Sequence, residues 1–546
     1  MKRDRVIAFL LIVAMVGTLI GCSTSNSEDG KKVEEARLTT GKYDPPITLT
    51  TVQKKPPTLK YADGDSIDNN PWTRAYEEEY GIKIKTLWSF STTEEAQWQQ
   101  KTNLMIASGD LPDFFLATPE QFKQLLDADL LADLTKEYNN APKRVRDTLV
   151  EGGELPIKSA TKNGKLMAIP FTTVVKEGSH MIWIRTDWLK KLNLPEPKTM
   201  SDVLAISEAF TTKDPDGNGK NDTFGITLDK DFRVMKGFLN GYHAYLDIWV
   251  KNSSNQLVFS SVQPEMKKAL GVLSEMFKKG QIDPEFGSKA YAKASESLVN
   301  GKIGILFNSF GAALSPLQSG IDIDPRMEWK AFPIVSVDST PAKNQNALGV
   351  NGYWVVKKGV KNADAVFKMI DFWIKTFYEN KDMDTYYKYV NIKDTNIEAS
   401  YMNVAAIYKP FKNTDQHLKV IKAAKDGDVS ALTGDDKGVL ERVKQFQAGN
   451  RTMWAWQAIY GEGGSLSVSD YYRKKELYEP DQFISAPLPV MAQKGAALAK
   501  LENEVFTKII LGQVGIDEFD KFVEEWKKTG GTEITAEVNE WYKQNK

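Results

Sequence analysis

The chain has 546 residues, 41% of them apolar and 26% charged, which is typical of a globular protein. Lys and Arg number 71 against 72 Asp and Glu, so the net charge is −1 and the basic excess typical of nucleic-acid-binding proteins is missing. This length predicts several domains or lobes, and we expect a monomer that binds no nucleic acid.

The N-terminus has the order of an export signal. Three basic residues precede an apolar stretch from Val6 to Ile20, and Gly21-Cys22 follows it. The stretch is shorter than the roughly 20 residues of a membrane-spanning helix. It resembles a bacterial lipoprotein lipobox, which implies a signal peptide of residues 1–21 and acylation of Cys22, with palmitate-type chains holding the protein at the outer face of the cell membrane. A plain signal peptide or an uncleaved anchor is the alternative.

The rest of the chain alternates between predicted strands and helices. Residues 22–46 are polar and predict a flexible tether after the lipidated cysteine. The elements expected after it are strand Ile47–Val52, a helix that begins at Asn70-Pro71 and ends at Gly81, strand Ile82–Leu87, a helix from Glu94 to Ala107, strand Phe114–Leu116, a helix from Thr118-Pro119, strand Met181–Ile184, a helix from Thr199 to near Phe210, strands Lys302–Phe307 and Tyr353–Val356, a helix from Ala363 to Phe377, and a C-terminal helix containing Phe519, Phe522, Val523 and Trp526 that Gly530-Gly531 ends. This alternation predicts βαβ units and a largely parallel sheet.

Several short segments, in this order and spacing, resemble a known family. They are Asn103–Asp113, Asn163–Leu166, Ile184–Leu192, 214–222, Gln263–Lys267, Ile282–Phe286, Phe519–Val523 and Glu537–Tyr542. The chain resembles the bacterial extracellular solute-binding lipoproteins of family 1, which are receptors of ABC importers. Large Firmicute oligosaccharide receptors are the most similar group, and alginate-oligosaccharide receptors are more distant.

The resemblance implies an α/β protein with the two-lobe type II periplasmic-binding fold and a ligand cleft between the lobes. Residues 47–170 and about 355–440 are expected in lobe 1. Residues about 171–354 and 441–546 are expected in lobe 2. The implied partners are a solute, the permease subunits that recognise the closed form, and the membrane through the lipid anchor alone.

A calcium-like loop lies at 214–222. Asp214, Asp216, Asn218 and Asp222 occupy loop positions 1, 3, 5 and 9, and Lys220 would offer its backbone carbonyl at position 7. The bidentate Glu of an EF-hand is missing, because position 12 is a glycine. We therefore expect a structural Ca²⁺ site of modest affinity, with a metal-free Asx-rich turn as the alternative.

Aromatic and polar side chains are the candidates for sugar binding, since sugar rings pack on aromatic faces and their hydroxyls bond to amides. For any single tryptophan, packing in the core is the alternative. The candidates are Asn69, Asn70, Trp72, Trp183, Trp249, Asn308, Trp454 and Trp456. Asn308 is included because ligands meet α/β sheets at the carboxyl ends of strands.

Three basic residues are candidates for binding an acidic sugar. They are Lys101, Arg185 and Arg451. Arginine can hold a carboxylate through two parallel hydrogen bonds. For Arg185, an ion pair with Asp187 is the alternative interpretation.

The sequence therefore predicts an extracellular substrate-binding lipoprotein that captures an oligosaccharide, with a uronate-containing one as a secondary expectation. We expect no enzymatic activity, because the three histidines are far apart and no nucleophile or phosphate-loop motif is found. A surface-anchored glycoside hydrolase or lyase that uses two carboxylates is the alternative function. An adhesin without a cleft, and a receptor for peptides or other solutes, also stay open.

Overall fold

The structure is a computed structural model that describes residues 37–39, 41–346, 348–393, 395 and 397–545. The predicted signal peptide, Cys22 and the first part of the expected tether lie outside the described residues. The last part of that segment is not a tether. Arg37–Thr39 pairs antiparallel with Lys42–Asp44, and the buried Tyr43 donates its hydroxyl hydrogen to Asp364 Oδ1 at 2.6 Å. Tyr43 therefore fastens this hairpin to the first lobe.

Strands and helices are interspersed as far as residue 356, and the described chain after it is mostly helical. The strands are β1 Arg37–Thr39, β2 Lys42–Asp44, β3 Ile47–Lys55, β4 Ile82–Ser91, β5 Phe114–Ala117, β6 Thr161–Lys162, β7 Lys165–Leu166, β8 Ile169–Thr172, β9 Met181–Arg185, β10 Phe224–Ile226, β11 Trp249–Lys251, β12 Leu257–Phe259, β13 Ile303–Asn308, β14 Trp329–Phe332, β15 Asn344–Asn346, β16 Val350–Val356 and β17 Tyr478–Pro480. The helices are α1 Pro71–Tyr80, α2 Glu95–Ser108, α3 Pro119–Asp127, α4 Thr135–Asn140, α5 Lys143–Val150, α6 Leu155–Ser159, α7 Thr186–Lys191, α8 Met200–Thr212, α9 Lys236–Gly241, α10 Pro264–Lys278, α11 Tyr291–Val299, α12 Leu317–Ile323, α13 Asp364–Ile374, α14 Met383–Tyr389, α15 Lys412–Asp426, α16 Gly434–Gln447, α17 Trp454–Tyr460, α18 Ser465–Lys475, α19 Pro489–Ile510, α20 Glu518–Trp526 and α21 Thr532–Gln544. In the described part of the chain, no helix has both the length and the apolar character that a membrane crossing requires.

Helix starts lie where the capping residues predict them. Asn70 accepts hydrogen bonds from the backbone N–H groups of Trp72 and Thr73 at the start of α1. Thr118 and Thr199 form capping boxes at the starts of α3 and α8. These side chains satisfy N–H groups that have no partner inside the helix, which is why the starts can be predicted locally.

The first lobe is built on β3, β4, β5, β8 and β16. β3 pairs parallel with β4, and β16 lies antiparallel between β5 and β8. Tyr43, just before β3, bonds to Asp364, just after β16, so β3 also runs opposite to β16. The carboxyl ends of β3, β4, β5 and β8 and the amino end of β16 therefore share one edge of this lobe.

The second lobe is built on the sheet β10-β13-β9-β14, in which β9 runs antiparallel to both of its neighbours. Alternate residues of β9 and β13 enter two different cores, because successive side chains of a strand point to opposite faces. Ile182 and Phe307 pack with α10 and α19, whereas Trp183 and Leu306 pack with α15, α16 and α17. Helices therefore cover both faces of the sheet.

Both sheets are mixed, and the prediction of a largely parallel sheet is wrong. β9 and β16 are the strands that run against their neighbours. Each of them begins where the chain arrives from the other lobe, at the edge where the neighbouring strands end. A strand that enters a sheet from this edge must run in the opposite direction.

Two other differences concern the C-terminal half. The side chains of residues 420–443 pack with Trp183 in the second lobe, so the chain returns there near Tyr408 rather than near 440. Gly530 has φ 153° and makes a kink, after which the chain continues as α21 instead of ending its helical course at Gly530-Gly531.

Candidate ligand-binding cleft

Three chain segments connect the lobes, and they place two sheet edges opposite each other. The crossings are residues 173–180, the chain just before β16, and residues 409–411. Thr172 Oγ1 donates to the carbonyl of Tyr408 at 2.8 Å, and Thr173 N donates to the carbonyl of Gly349 at 3.0 Å. The crossings are thus bonded side by side, as in a hinge. The strand ends that flank them form the walls of a cleft.

The second-lobe wall contains an amide and a tyrosine at the end of β13. Asn308 Nδ2 donates to the hydroxyl of Tyr291 at 2.8 Å, and both side chains are partly exposed. The guanidinium of Arg233 lies 4.5 Å from the ring centre of Tyr291. Burial raises the pKa of the Tyr291 phenol, so its hydroxyl keeps its proton at neutral pH. The cluster offers donors, acceptors and one positive charge to a polar ligand.

A partly exposed tryptophan lies next to this cluster. α17 packs against residues 310–313, which directly follow β13, and carries Trp456. The Trp456 ring is stacked near Tyr460, with centroids 5.8 Å apart, and Arg442 lies 4.3 Å from its centre. Trp456 thus offers an aromatic surface, beside a guanidinium, near the carboxyl end of β13.

The first-lobe wall has an aromatic patch at the carboxyl end of β4. Trp88 and Phe90 are partly exposed, and Trp88 packs edge-on against Trp98 of α2 with centroids 5.2 Å apart. Lys101 Nζ lies 4.7 Å from the ring centre of Trp88. At the end of β3, Lys55 Nζ donates to two backbone carbonyls, and burial lowers its pKa to about 7. Both walls therefore combine aromatic rings with cations.

Several sequence candidates belong to the core instead. Trp72 and Trp183 have no exposed surface, and Trp454 is 7% exposed. The indole N–H of Trp72 donates to the carbonyls of Tyr389 and Ala399. The indole N–H of Trp183 donates to the carbonyl of Ser309. With their faces packed and the N–H groups of Trp72 and Trp183 bonded internally, these rings cannot contact a solute.

The remaining candidates also have local partners. Asn70 is the buried N-cap of α1, and Asn69 accepts a hydrogen bond from Arg74. Arg185 is 4% exposed and holds Asp187 through two hydrogen bonds, which is the alternative that the sequence left open.

Arg451 and Trp249 are equally separate from the cleft walls. Arg451 donates to the carbonyl of Pro325 and lies over Phe446. Trp249 lines a cavity inside the second lobe.

Three of the sequence candidates lie in the walls: Lys101, Asn308 and Trp456. The sequence did not indicate six other wall residues: Lys55, Trp88, Phe90, Arg233, Tyr291 and Arg442. The only signal for Trp88 was its place at the end of a predicted strand. Arg233, Tyr291 and Arg442 carry no local motif.

The calcium-like loop forms its expected turn, but its oxygens already have partners. Asp214 accepts the backbone N–H groups of residues 217–219. Lys302 Nζ lies 2.7 Å from Asp222 Oδ2 and 3.3 Å from Asp216 Oδ2. Among the described residues, no group of three acidic, histidine or cysteine side chains converges as metal ligands do. A Ca²⁺ ion would have to compete with Lys302 for two of these carboxylates, and the calcium site stays a prediction.

Comparison with known proteins agrees with the two-lobe geometry. Residues 61–376, more than half of the chain, match the family described as bacterial extracellular solute-binding protein. The chain belongs to this family. Lipoprotein LipO of Bacillus subtilis is 25% identical to this solute-binding protein over 578 residues, which cover 100% of the chain and 99% of LipO.

Two further relatives cover nearly the whole chain. The polygalacturonan/rhamnogalacturonan-binding protein YtcQ of B. subtilis is 22% identical over 558 residues and matches along the full length of both proteins. The solved structure of an HMO-binding, ABC-transporter-associated solute-binding protein of Bifidobacterium longum infantis superposes with a TM-score of 0.62 at 18% identity, covering 91% of this chain and 98% of that one. The structural likeness establishes the two-lobe fold.

Proposed function

We propose that this solute-binding protein captures an oligosaccharide in the interlobe cleft and delivers it to an ABC importer. The proposal rests on the aromatic and hydrogen-bonding side chains of the two cleft walls. Trp88 and Trp456 offer ring faces, and Asn308 and Tyr291 offer hydrogen bonds. Flat C–H faces of sugars pack on aromatic rings, and sugar hydroxyls need paired donors and acceptors.

We further propose that the oligosaccharide contains uronates. Lys101, Arg233 and Arg442 each lie against an aromatic ring of a wall. Ring and cation together suit a sugar that carries a carboxylate, because guanidinium groups hold carboxylates with two parallel bonds. The relative YtcQ, named for binding polygalacturonan and rhamnogalacturonan, supports this substrate class.

Closure of the lobes is the step that would signal capture. A ligand shifts the population toward the closed form only if it binds that form more tightly. Contacts to both walls at once meet this condition, because the open form can offer only one wall at a time. The bonded crossings at Thr172, Gly349 and Tyr408 provide the hinge.

The lipid anchor is a separate part of the proposal. Cys22 lies outside the described residues, and the relative LipO is named a lipoprotein. Two acyl chains would make the attachment stable, since each buried CH₂ contributes about 0.8 kcal/mol. Expression of Cys22→Ala should move the protein from the membrane fraction to the medium or the soluble fraction, while Ser23→Ala should stay at the membrane. Equal fractionation of both variants would contradict acylation at Cys22.

The decisive experiment for the receptor role is calorimetric titration with matched oligosaccharides, followed by small-angle scattering. We expect saturable binding of oligogalacturonate, weaker binding of the neutral oligosaccharide of equal length, and a smaller radius of gyration when ligand is bound. Binding of neutral oligosaccharides alone would contradict the proposal that the ligand contains uronates. Binding of neither oligosaccharide would contradict the proposal that the ligand is a sugar. Chromatography of the ligand after incubation tests the hydrolase alternative, for which the comparisons give no support.

A further inference from the structure

A cavity of about 360 Å³ lies wholly within the second lobe, apart from the interlobe cleft. Its walls come from the β11–β12 hairpin, the chain leading into α19, and helices α19, α20 and α21. Four aromatic rings line it: Trp249, Phe259, Phe483 and Trp526. Phe259 stacks on Trp526 with centroids 5.3 Å apart, and Trp249 lies 5.4 Å from Phe259. The volume lies in the range of small-molecule sites.

Three acidic residues share this aromatic cavity. Asp247, Asp481 and Glu502 line it, and its lining contains no lysine, arginine or histidine. Glu502, on α19, is 5% exposed. Asp481 Oδ1 accepts the backbone N–H groups of Trp249 at 3.1 Å and of Phe483 at 3.0 Å. The cavity is thus acidic without a basic partner in its own wall.

Buried carboxylates are costly unless a cation or a proton neutralises them. Burial, and then the neighbouring Asp247, raise the pKa of Glu502 well above its ordinary value, while Ser261 and the more distant Lys236 oppose the shift. Burial raises the pKa of Asp481 to about 6. Glu502 thus favours a proton over bare charge, and a cation that enters the cavity would replace that proton.

Aromatic faces attract cations, most strongly when both are removed from water. We propose that this cavity binds a small organic cation, with its ammonium or guanidinium group against Glu502 and Asp481 and its apolar part against the aromatic rings. The site is separate from the interlobe cleft, because none of its lining residues belongs to either cleft wall. The inference therefore does not depend on the proposed function.

The test uses the purified protein and three cations, namely choline, ethylguanidinium and glucosamine. Their neutral counterparts are 3,3-dimethylbutanol for choline, ethylurea for ethylguanidinium and N-acetylglucosamine for glucosamine. We expect saturable quenching of tryptophan fluorescence by at least one cation at millimolar concentration and none by its counterpart. The cation that binds most tightly distinguishes ammonium from guanidinium recognition. Calorimetry at neutral pH in buffers of different ionisation heat should show proton release from Glu502.

Two variants change the acidic wall of the cavity, and a third is the control. Glu502→Gln keeps the shape of the side chain and should weaken cation binding about tenfold or more, without lowering the unfolding temperature. Asp481→Asn retains an acceptor for the two N–H groups and should weaken binding in the same direction. Glu504→Gln removes an exposed carboxylate from the same helix and should bind as the wild type does. No saturable binding of any of the three cations, or wild-type affinity in Glu502→Gln, would overturn the proposal.

Discussion

The carboxylate of Glu177 accepts the backbone N–H of Thr414, and thereby joins the first crossing between the lobes to the start of α15, directly after the third crossing. The same carboxylate accepts the backbone N–H of Asn413 at 3.2 Å and its side-chain amide at 2.9 Å. Glu177 is fully buried, and burial raises its pKa. These N–H groups open helix α15 and have no acceptor within it. One side chain thus caps α15 and holds its first turn to the first crossing.

Replacement of Glu177 by alanine should destabilise the protein. The substitution leaves buried N–H groups without a partner, and each such loss costs about 1–3 kcal/mol. Urea unfolding measures the change in the free energy of unfolding. The matched control is Glu154→Ala, which removes an exposed carboxylate paired with Lys158 at 3.0 Å and should change stability by only a few tenths of a kcal/mol. Equal losses of stability in the two variants would show that the hydrogen bonds of Glu177 contribute no more than those of an exposed carboxylate.

His180 should make the stability of the protein sensitive to acid. Its Nδ1 accepts the backbone N–H of Gly237 at 3.1 Å. Burial, helped by Lys236 and Arg233, lowers the pKa of His180 from 6.5 to about 4. The unfolded chain therefore takes up a proton below pH 6.5 that the folded chain refuses. Stability from this group is complete above that pH and is lost as the pH falls toward 4.

The expected loss from His180 is about 2 kcal/mol between pH 7 and pH 5. His180→Asn offers an amide oxygen in place of Nδ1 and cannot be protonated in this range, so its stability should fall less on acidification. His243→Asn is the control, because it removes an imidazole whose partner is Asp338 near the surface. Chemical denaturation at the two pH values gives the comparison. Parallel pH profiles for wild type and His180→Asn would contradict the assignment.

Trp456 should contribute to ligand affinity rather than to folding. Its ring is partly exposed on α17 near the second-lobe wall. Trp456→Ala should weaken oligosaccharide binding about tenfold, or ~1.4 kcal/mol, with little change in unfolding temperature. The control is Tyr471→Ala, which removes a 43% exposed ring from α18. Calorimetric titration with oligogalacturonate measures the change in affinity. Wild-type affinity in Trp456→Ala would show that this ring does not contact the ligand.

The sequence predicted those features that depend on neighbouring residues. The start of α1 follows from Asn70-Pro71, and its end follows from Gly81, which takes a left-handed conformation at φ 67°. Strand directions could not be predicted in the same way. β9 and β16 run antiparallel to their neighbours because the chain enters them from the other lobe. The residues of a strand do not indicate from which lobe the chain arrives.

The same limit applies to the site. Trp72 and Trp456 are indistinguishable by local composition, yet Trp72 is buried against Trp373 and Tyr389, more than 300 residues away in the chain, and the carbonyl of Tyr389 accepts its N–H. Asn308 was found because it ends a predicted strand. Tyr291 was missed because only the folded chain brings its hydroxyl to Asn308. Side-chain burial is decided by long-range packing, so sequence position alone selected the wrong tryptophans.

Lys302 occupies the position in which it would compete with calcium. Its ammonium donates to Asp222 and Asp216, two of the expected metal ligands. The hydrogen bond from Lys302 is the main cause that lowers the pKa of Asp222. A divalent cation at these carboxylates would have to displace the ammonium or tolerate a positive charge a few ångströms away, and either requirement weakens binding.

Removal of this charge should therefore favour calcium. Lys302→Met should bind Ca²⁺ about tenfold more tightly than the wild type in equilibrium dialysis of the metal-stripped protein, because repulsion between near charges is worth about 1–4 kcal/mol. Lys213→Met is the control, since it removes an exposed ammonium next to the loop without touching Asp216 or Asp222. No bound Ca²⁺ at millimolar concentration in either wild type or Lys302→Met would reject the calcium site. Equal affinity in both would show instead that the ammonium moves aside without cost.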